Sequence, residues 1–311
     1  MKNKSLFRMK SWAAWVVGFF VALVSCQKDS DVLNANDVQN VNTEAAAATY
    51  TNEASDIATS TMGAISTSQL AGARESGYVL RNLVNWDERL QCAVVTIIRT
   101  GSKQNPSGSI VINYDSLSST CTDSHGVRRK GQIIITYSGR RWMPGSTYNI
   151  RLVNFYRNDI HIEGNLTLTT QQADTSQYLL FKSVLDSGKV TFGDGKFITR
   201  EHTITREWVR TPSPLTDEWI TLTKNPVDNS FSQAKGTCKN GETYTMQVTK
   251  DIVEKASCRI NKIFIPVSGT KVITVGNETY TIDYGNGTCS DVITITIRGR
   301  LKQINFNPEG N

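Results

Sequence analysis

Proline is scarce, at 7 in 311 residues, histidine scarcer at 3, and charged residues make up only 20% of the chain. So little Pro beside 22 Gly excludes collagen-like and low-complexity classes, and the modest charge excludes a chain disordered throughout. His-Glu-x-x-His, Gly-x-Ser-x-Gly, Walker-type and dinucleotide glycine loops are all missing. Cys-x-x-Cys is missing too, and with His125, His161 and His202 scattered this argues against a metal site. Nor does the formal charge of +6 indicate a nucleic-acid partner. Lys2, Lys4, Arg8 and Lys10 lie in 1–25 with no acidic residue, and without that segment 30 basic residues face 28 acidic ones, a balance of +2.

What the first 25 residues do carry is an address. A cationic stretch, Met1 to Lys10, precedes the uncharged, mostly apolar run Trp12 to Val24 and then Leu23-Val24-Ser25-Cys26. The run is too short for a spanning helix, which needs about 20 residues, and suits the h-region of a signal peptide. The tetrad resembles the bacterial lipobox, which implies lipidation of Cys26 as the new N-terminus; two or more acyl chains there give stable anchoring. Gln27-Lys28-Asp29-Ser30-Asp31 resembles the export signal that carries Bacteroidota lipoproteins to the outer face of the outer membrane. The expected location is therefore the outer membrane, lipid-anchored and cell-surface exposed, with a periplasm-facing orientation as the alternative.

Three segments follow from the texture of the chain: a signal peptide over 1–25, a lipidated N-terminus and tether over 26–76, and a β domain over 77–311. Residues 27–49 hold no aromatic residue and read as a disordered spacer. Tyr50, Ala54, Ile57, Ala58, Met62 and Ile65 recur at helical spacing and predict a short helix over 44–66. Beyond Tyr78 the period becomes two, as in Ile293, Ile295 and Ile297 against Thr294 and Thr296, with hairpin signals Asp194-Gly195, Asn240-Gly241 and Asn286-Gly287 between runs. The fold class expected is all-β, an antiparallel meander or sandwich-like sheet.

An internal duplication organises the cysteines. Ile112-Asn113-Tyr114 precedes Cys121 as Ile282-Asp283-Tyr284 precedes Cys289, and 131–140 aligns with 291–300, each ending Gly-Arg. The repeat units, about 90–140 and 256–300, each hold two cysteines, which predicts disulfides Cys92–Cys121 and Cys258–Cys289 with Cys238 a free thiol. These same stretches, including Lys255-Ala256-Ser257-Cys258-Arg259 and Asp283-Tyr284-Gly285-Asn286-Gly287-Thr288-Cys289, resemble a β-rich lipoprotein family of unknown function common in Bacteroidota. The resemblance implies an exported β protein and carries no catalytic residues.

Chemistry-bearing patterns are thin. Asp123-Ser124-His125 offers the residue types of a nucleophile, base and orienter, but sequence neighbours seldom reach that geometry. Asp174, Asp186, Asp217, Glu163 and Glu218 are scattered as on any surface. Trp142, beside Arg140 and Arg141 and before Pro144-Gly145, is the candidate ligand-binding ring, since flat rings next to cations suit stacking on sugars or peptides. Trp86, Trp208 and Trp219 have charged neighbours as well, and the basic run Arg128-Arg129-Lys130 suits an anionic glycan. Asp115-Ser116-Leu117 makes Ser116 a candidate O-glycosylation site. The function expected is a non-catalytic binding or envelope-structural lipoprotein with no cofactor and no metal, meeting membrane lipid through Cys26 and a glycan or envelope protein. The alternatives are a carbohydrate-binding accessory protein of a polysaccharide-uptake system and, behind it, a secreted hydrolase.

Overall fold

The computed structural model describes residues 35–65, 78–80, 86–115, 121–175 and 178–306. The expected signal peptide (1–25), Cys26, the segment Gln27 to Asp31 and Ser116 lie outside these residues. Among the described residues one long helix, α1 (Ala35–Ala64), precedes sixteen strands. The first eight are β1 (Tyr78–Leu80), β2 (Val94–Arg99), β3 (Ser107–Asn113), β4 (Cys121–Thr122), β5 (Arg128–Ser138), β6 (Thr147–Arg157), β7 (Ile160–Thr175) and β8 (Tyr178–Thr191). The rest are β9 (Phe197–Val209), β10 (Glu218–Leu222), β11 (Gln233–Thr237), β12 (Thr243–Lys255), β13 (Ser268–Val275), β14 (Glu278–Asn286), β15 (Val292–Ile297) and β16 (Arg300–Asn305).

All sixteen strands belong to one antiparallel sheet that follows sequence order almost throughout, the expected meander. β4 pairs only with β5; β10 and β11 both lie between β9 and β12, at opposite ends of those long strands. Alternation drives the pleat. β3, β5, β13 and β15 bury every second residue, so Ile110, Ile112, Ile133, Ile135, Ile273, Ile293 and Ile295 share one apolar cluster with Tyr50, Ile57 and Met62 of α1. Among the described residues no helix is long and apolar enough to cross a membrane.

The helix departs from expectation. It begins at Ala35 rather than near residue 44, so 35–49 is no spacer, and from Asp37 to Met62 it is buried on nearly every side. A helix covered all round is ordinarily apolar; this one carries Glu44, Glu53 and Asp56. It is also rich in Thr, a mediocre helix former. Thr43, Thr51, Thr59 and Thr61 each turn their hydroxyl back onto a carbonyl four residues earlier, at 2.7–3.0 Å, which satisfies a polar group that would otherwise be buried bare. The acidic groups find their partners on the sheet. Glu53 meets Arg129 of β5 and Arg157 of β6, Asp56 meets Arg206 of β9, and Tyr280 of β14 donates to Asp37. Strands from both halves of the sheet thus converge on one helix, and α1 belongs to the same compact unit as the strands.

Both expected disulfides are present, Cys92–Cys121 with Cα atoms 5.5 Å apart and Cys258–Cys289 with 5.4 Å, and Cys238 is a buried free thiol. Each bridge ties a short 3₁₀ turn region to a later point of its unit: Glu88–Leu90 to β4, across β2 and β3, in the first, and Ala256–Asn261 to the chain just before β15, across β13 and β14, in the second. The units differ in register. Ile112 faces Ile133, whereas its counterpart Ile282 faces Ile295 and not Ile293. A slip of two residues leaves every inward side chain inward, so the core tolerates it where a slip of one would not be tolerated.

Candidate functional site

The residues expected to form a ligand-stacking surface are drawn inward. Trp142 sits in a left-handed backbone conformation (φ 62°) at the turn, its N–H donating to Tyr148 Oη at 3.0 Å, and this swings the ring into the core, where it is 5% exposed. There it packs against Tyr148, Phe181 and Trp208, with centroids 5.4–5.8 Å apart, and Trp208 in turn stacks on Trp219 at 5.3 Å. Trp86 donates its indole N–H to the Ser60 carbonyl. Arg141 donates to the carbonyls of Met62, at 2.7 Å, and of Ile65, closing the C-terminal end of α1 with a cation where the helix has no basic residue of its own. Only Arg140 stays exposed. The stacking surface expected at Trp142, Arg140 and Arg141 is therefore corrected to an aromatic core cluster and a helix cap. The basic run is divided too: Arg129 is buried between Glu53 and Asp123, while Arg128 points outward to Asp159.

The histidines do not assemble a base with a nucleophile in reach of solvent. His125 Nε2 lies 2.8 Å from Glu88, which also accepts from Ser124, and Asp123 is engaged by the backbone N–H groups of His125 and Val127 and by Arg129. His161 stacks on Tyr156 at 4.4 Å. His202 Nε2 does lie 3.1 Å from Ser183 Oγ, but both residues are buried and Nδ1 has no hydrogen-bond partner among the described residues, so nothing orients the ring. Burial, with Arg200 and Arg206 alongside, holds the His202 pKa well below its ordinary value, and the ring is neutral. Among the described residues no group of three or more His, Cys, Asp or Glu is placed to hold a metal ion.

Among the described residues, two of the cavities bear on a site. The smaller, of ≈ 30 Å³, lies where the helix charges come closest to solvent, beside Glu53, Asp56, Glu254 and Arg259. It has room for about one water molecule. Its carboxylates are held by arginines of the sheet, Glu53 by Arg129 and Arg157 and both Asp56 and Glu254 by Arg206: burial alone would push the Glu53 carboxyl up, yet Arg157 and Arg129 bring it down to about 2.

The larger is a groove of ≈ 930 Å³ on the outer face of the sheet, over β7, β8, β9, β11, β12 and β13. Strand register composes its floor. Thr167 faces Val184, Val184 faces Thr203, Thr203 faces Gln233, Gln233 faces Gln247, and Gln247 faces Val272, a single row crossing six strands. A second row runs Glu201, Lys235, Thr245, Thr274. Gly236 lets β11 wedge between its neighbours, since a Cβ there would lie 2.0 Å from the Thr199 carbonyl oxygen. Five threonines and two glutamines make up seven of the sixteen lining residues, with five apolar side chains among the rest. Glu201 and Lys235 neutralise each other at 3.2 Å, Asp186 adds one further charge, and none of the lining residues is aromatic.

No family model, curated protein or solved structure matches the chain. The groove's residues must therefore be read from their own chemistry. Sequence reasoning missed them because Thr and Gln on the outer face of a strand look like ordinary solvated positions, and only register lines them up.

Proposed function

We propose that the protein is a non-catalytic, lipid-anchored binding protein of the outer membrane that presents the groove over β7–β13 to a ligand. The anchor rests on the Leu23 to Cys26 tetrad, and cell-surface exposure on Gln27 to Asp31. The observation that carries the binding reading is the groove itself: an open floor of hydrogen-bonding side chains whose Glu201–Lys235 charges are already paired. Of the carboxylates that line that space Glu201 is paired with Lys235, and His202, at its edge, is buried and spends its Nε2 on the buried Ser183. The resemblance to a Bacteroidota lipoprotein family points to the same compartment.

The test has two arms. Palmitate labelling is expected in the parent and lost in Cys26→Ala, with the variant released from membranes and the parent digested by proteinase K on intact cells. Continued labelling of the variant overturns the anchor. Purified protein is expected to bind without turnover. Hydrolysis of a bound glycan, ester or peptide that a single groove substitution abolishes overturns the non-catalytic reading.

A further inference from the structure

We infer that the groove over β7–β13 binds a neutral polysaccharide chain laid across the strands; this deepens the binding reading above and rests on it. The argument starts from what the floor offers. Its first row, Thr167, Val184, Thr203, Gln233, Gln247 and Val272, places one side chain per strand, at the strand spacing of roughly 4.8 Å. Four of the six are hydroxyl or carboxamide groups that both donate and accept. That is the complement of a polymer bearing hydroxyl groups at every unit, and the pitch is on the scale of one pyranose residue. The row runs perpendicular to the strands, so the bound chain does too. At ≈ 930 Å³ the groove is near the upper end for small-molecule sites and accommodates several sugar units rather than one.

Other ligand classes fit less well. An anionic chain would meet Asp186 and find Lys235 already held by Glu201. An acyl chain would find only Val184, Leu185, Ala234, Met246 and Val272 among many polar groups, of which Leu185, Ala234 and Met246 lie on the buried side of their strands. A peptide adding as a strand needs free backbone groups, and the floor strands are paired on both sides.

The experiment is affinity electrophoresis of the detergent-solubilised full chain through gels containing mixed-linkage β-glucan, glucomannan or arabinoxylan, with polygalacturonate and heparin as anionic arms. Retardation by at least one neutral polysaccharide is expected. The variant Gln233→Ala/Gln247→Ala, which changes two exposed side chains, should weaken it by about tenfold or more with an unchanged melting temperature. Arg140→Ala, at an exposed position outside the groove, should match the parent. Retardation by polyanions alone, retardation by none of the polysaccharides, or equal retardation of parent and double variant overturns this inference while leaving a binding role at the groove open. Release of reducing ends from the retarding polysaccharide instead overturns the non-catalytic reading on which it rests.

Discussion

Lys271 of β13 places its Nζ 2.5 Å from Glu44 Oε2 in the interior, 227 positions apart in sequence, with side chains 3% and 0% exposed. Arg200 of β9 reaches the other carboxylate oxygen, also at 2.5 Å. Burial alone would raise the Glu44 pKa, but the charges of Lys271 and Arg200 outweigh it, and the carboxyl is held below its ordinary value. One acidic residue of a polar helix therefore joins two strands that are not neighbours in the sheet.

Removing that carboxylate strands two buried cations. Glu44→Gln is expected to destabilise by about 3–5 kcal/mol, read by urea or guanidinium unfolding. A triple replacement with apolar residues, Glu44→Leu, Arg200→Met and Lys271→Met, should recover much of the loss, because it removes the desolvation penalty with the charge. A loss below about 1 kcal/mol for Glu44→Gln would show that water or a neighbour replaces the carboxylate.

Acid should act in two stages. His202 has a folded-state pKa below its unfolded value of about 6.5, so the unfolded chain takes up the proton first and stability falls as the pH drops below that value. Glu53 is depressed from 4.5 to about 2; its contribution is complete above about 4.5 and is lost as the pH falls through 2. His202→Gln is expected to flatten the upper part of a plot of unfolding free energy against pH and to leave the lower part in place. An unchanged slope between about pH 7 and 5 would rule out His202 as the group responsible.

Arg141 and Trp142 act as a cap and a core ring, and their variants should behave accordingly. Arg141→Ala removes the donor to the Met62 and Ile65 carbonyls and should cost about 1–3 kcal/mol, with loss of hydrogen-exchange protection confined to the last turns of α1. Trp142→Ala opens a cavity among Tyr148, Phe181 and Trp208 and should cost about 3–5 kcal/mol. If Trp142→Ala instead left stability unchanged and weakened ligand binding, the ring would have to face solvent.

Much of the sheet was legible because period-2 alternation is a local signal: Ile293, Ile295 and Ile297 announce their inward face within six residues. The two bridges were legible because the duplication repeats the cysteines with their strands. The helix was half legible. Tyr50 to Ile65 carries an apolar rhythm, but Asp37 and Glu44 are buried through partners as distant in sequence as Tyr280 and Arg200, and hydropathy has no means of announcing that. Trp142 misled because Pro144-Gly145 correctly marks a turn without saying which way a residue at positive φ will point its side chain. The groove was illegible for a related reason: Thr203, Gln233 and Gln247 become neighbours only through the register of β9, β11 and β12.

The five described cysteines should separate cleanly by chemistry. Burial, followed by the nearby carboxylates of Glu44 and Glu242, pushes the Cys238 thiol up to about 12, so almost no thiolate exists at neutral pH and the sulfur is shielded as well. Iodoacetamide is expected to leave Cys238 unmodified in the folded protein and to alkylate it, alone of the five, once the unreduced chain is unfolded in guanidinium. Reduction should then expose Cys92, Cys121, Cys258 and Cys289, and each opened loop, of 29 and 31 residues, should lower stability by roughly 3–4 kcal/mol. Non-reducing peptide mapping is the direct check: a Cys238-containing bridge, or alkylation of Cys238 in the native state at a rate near that of a free thiol, would contradict its placement beside the Glu44 charge cluster.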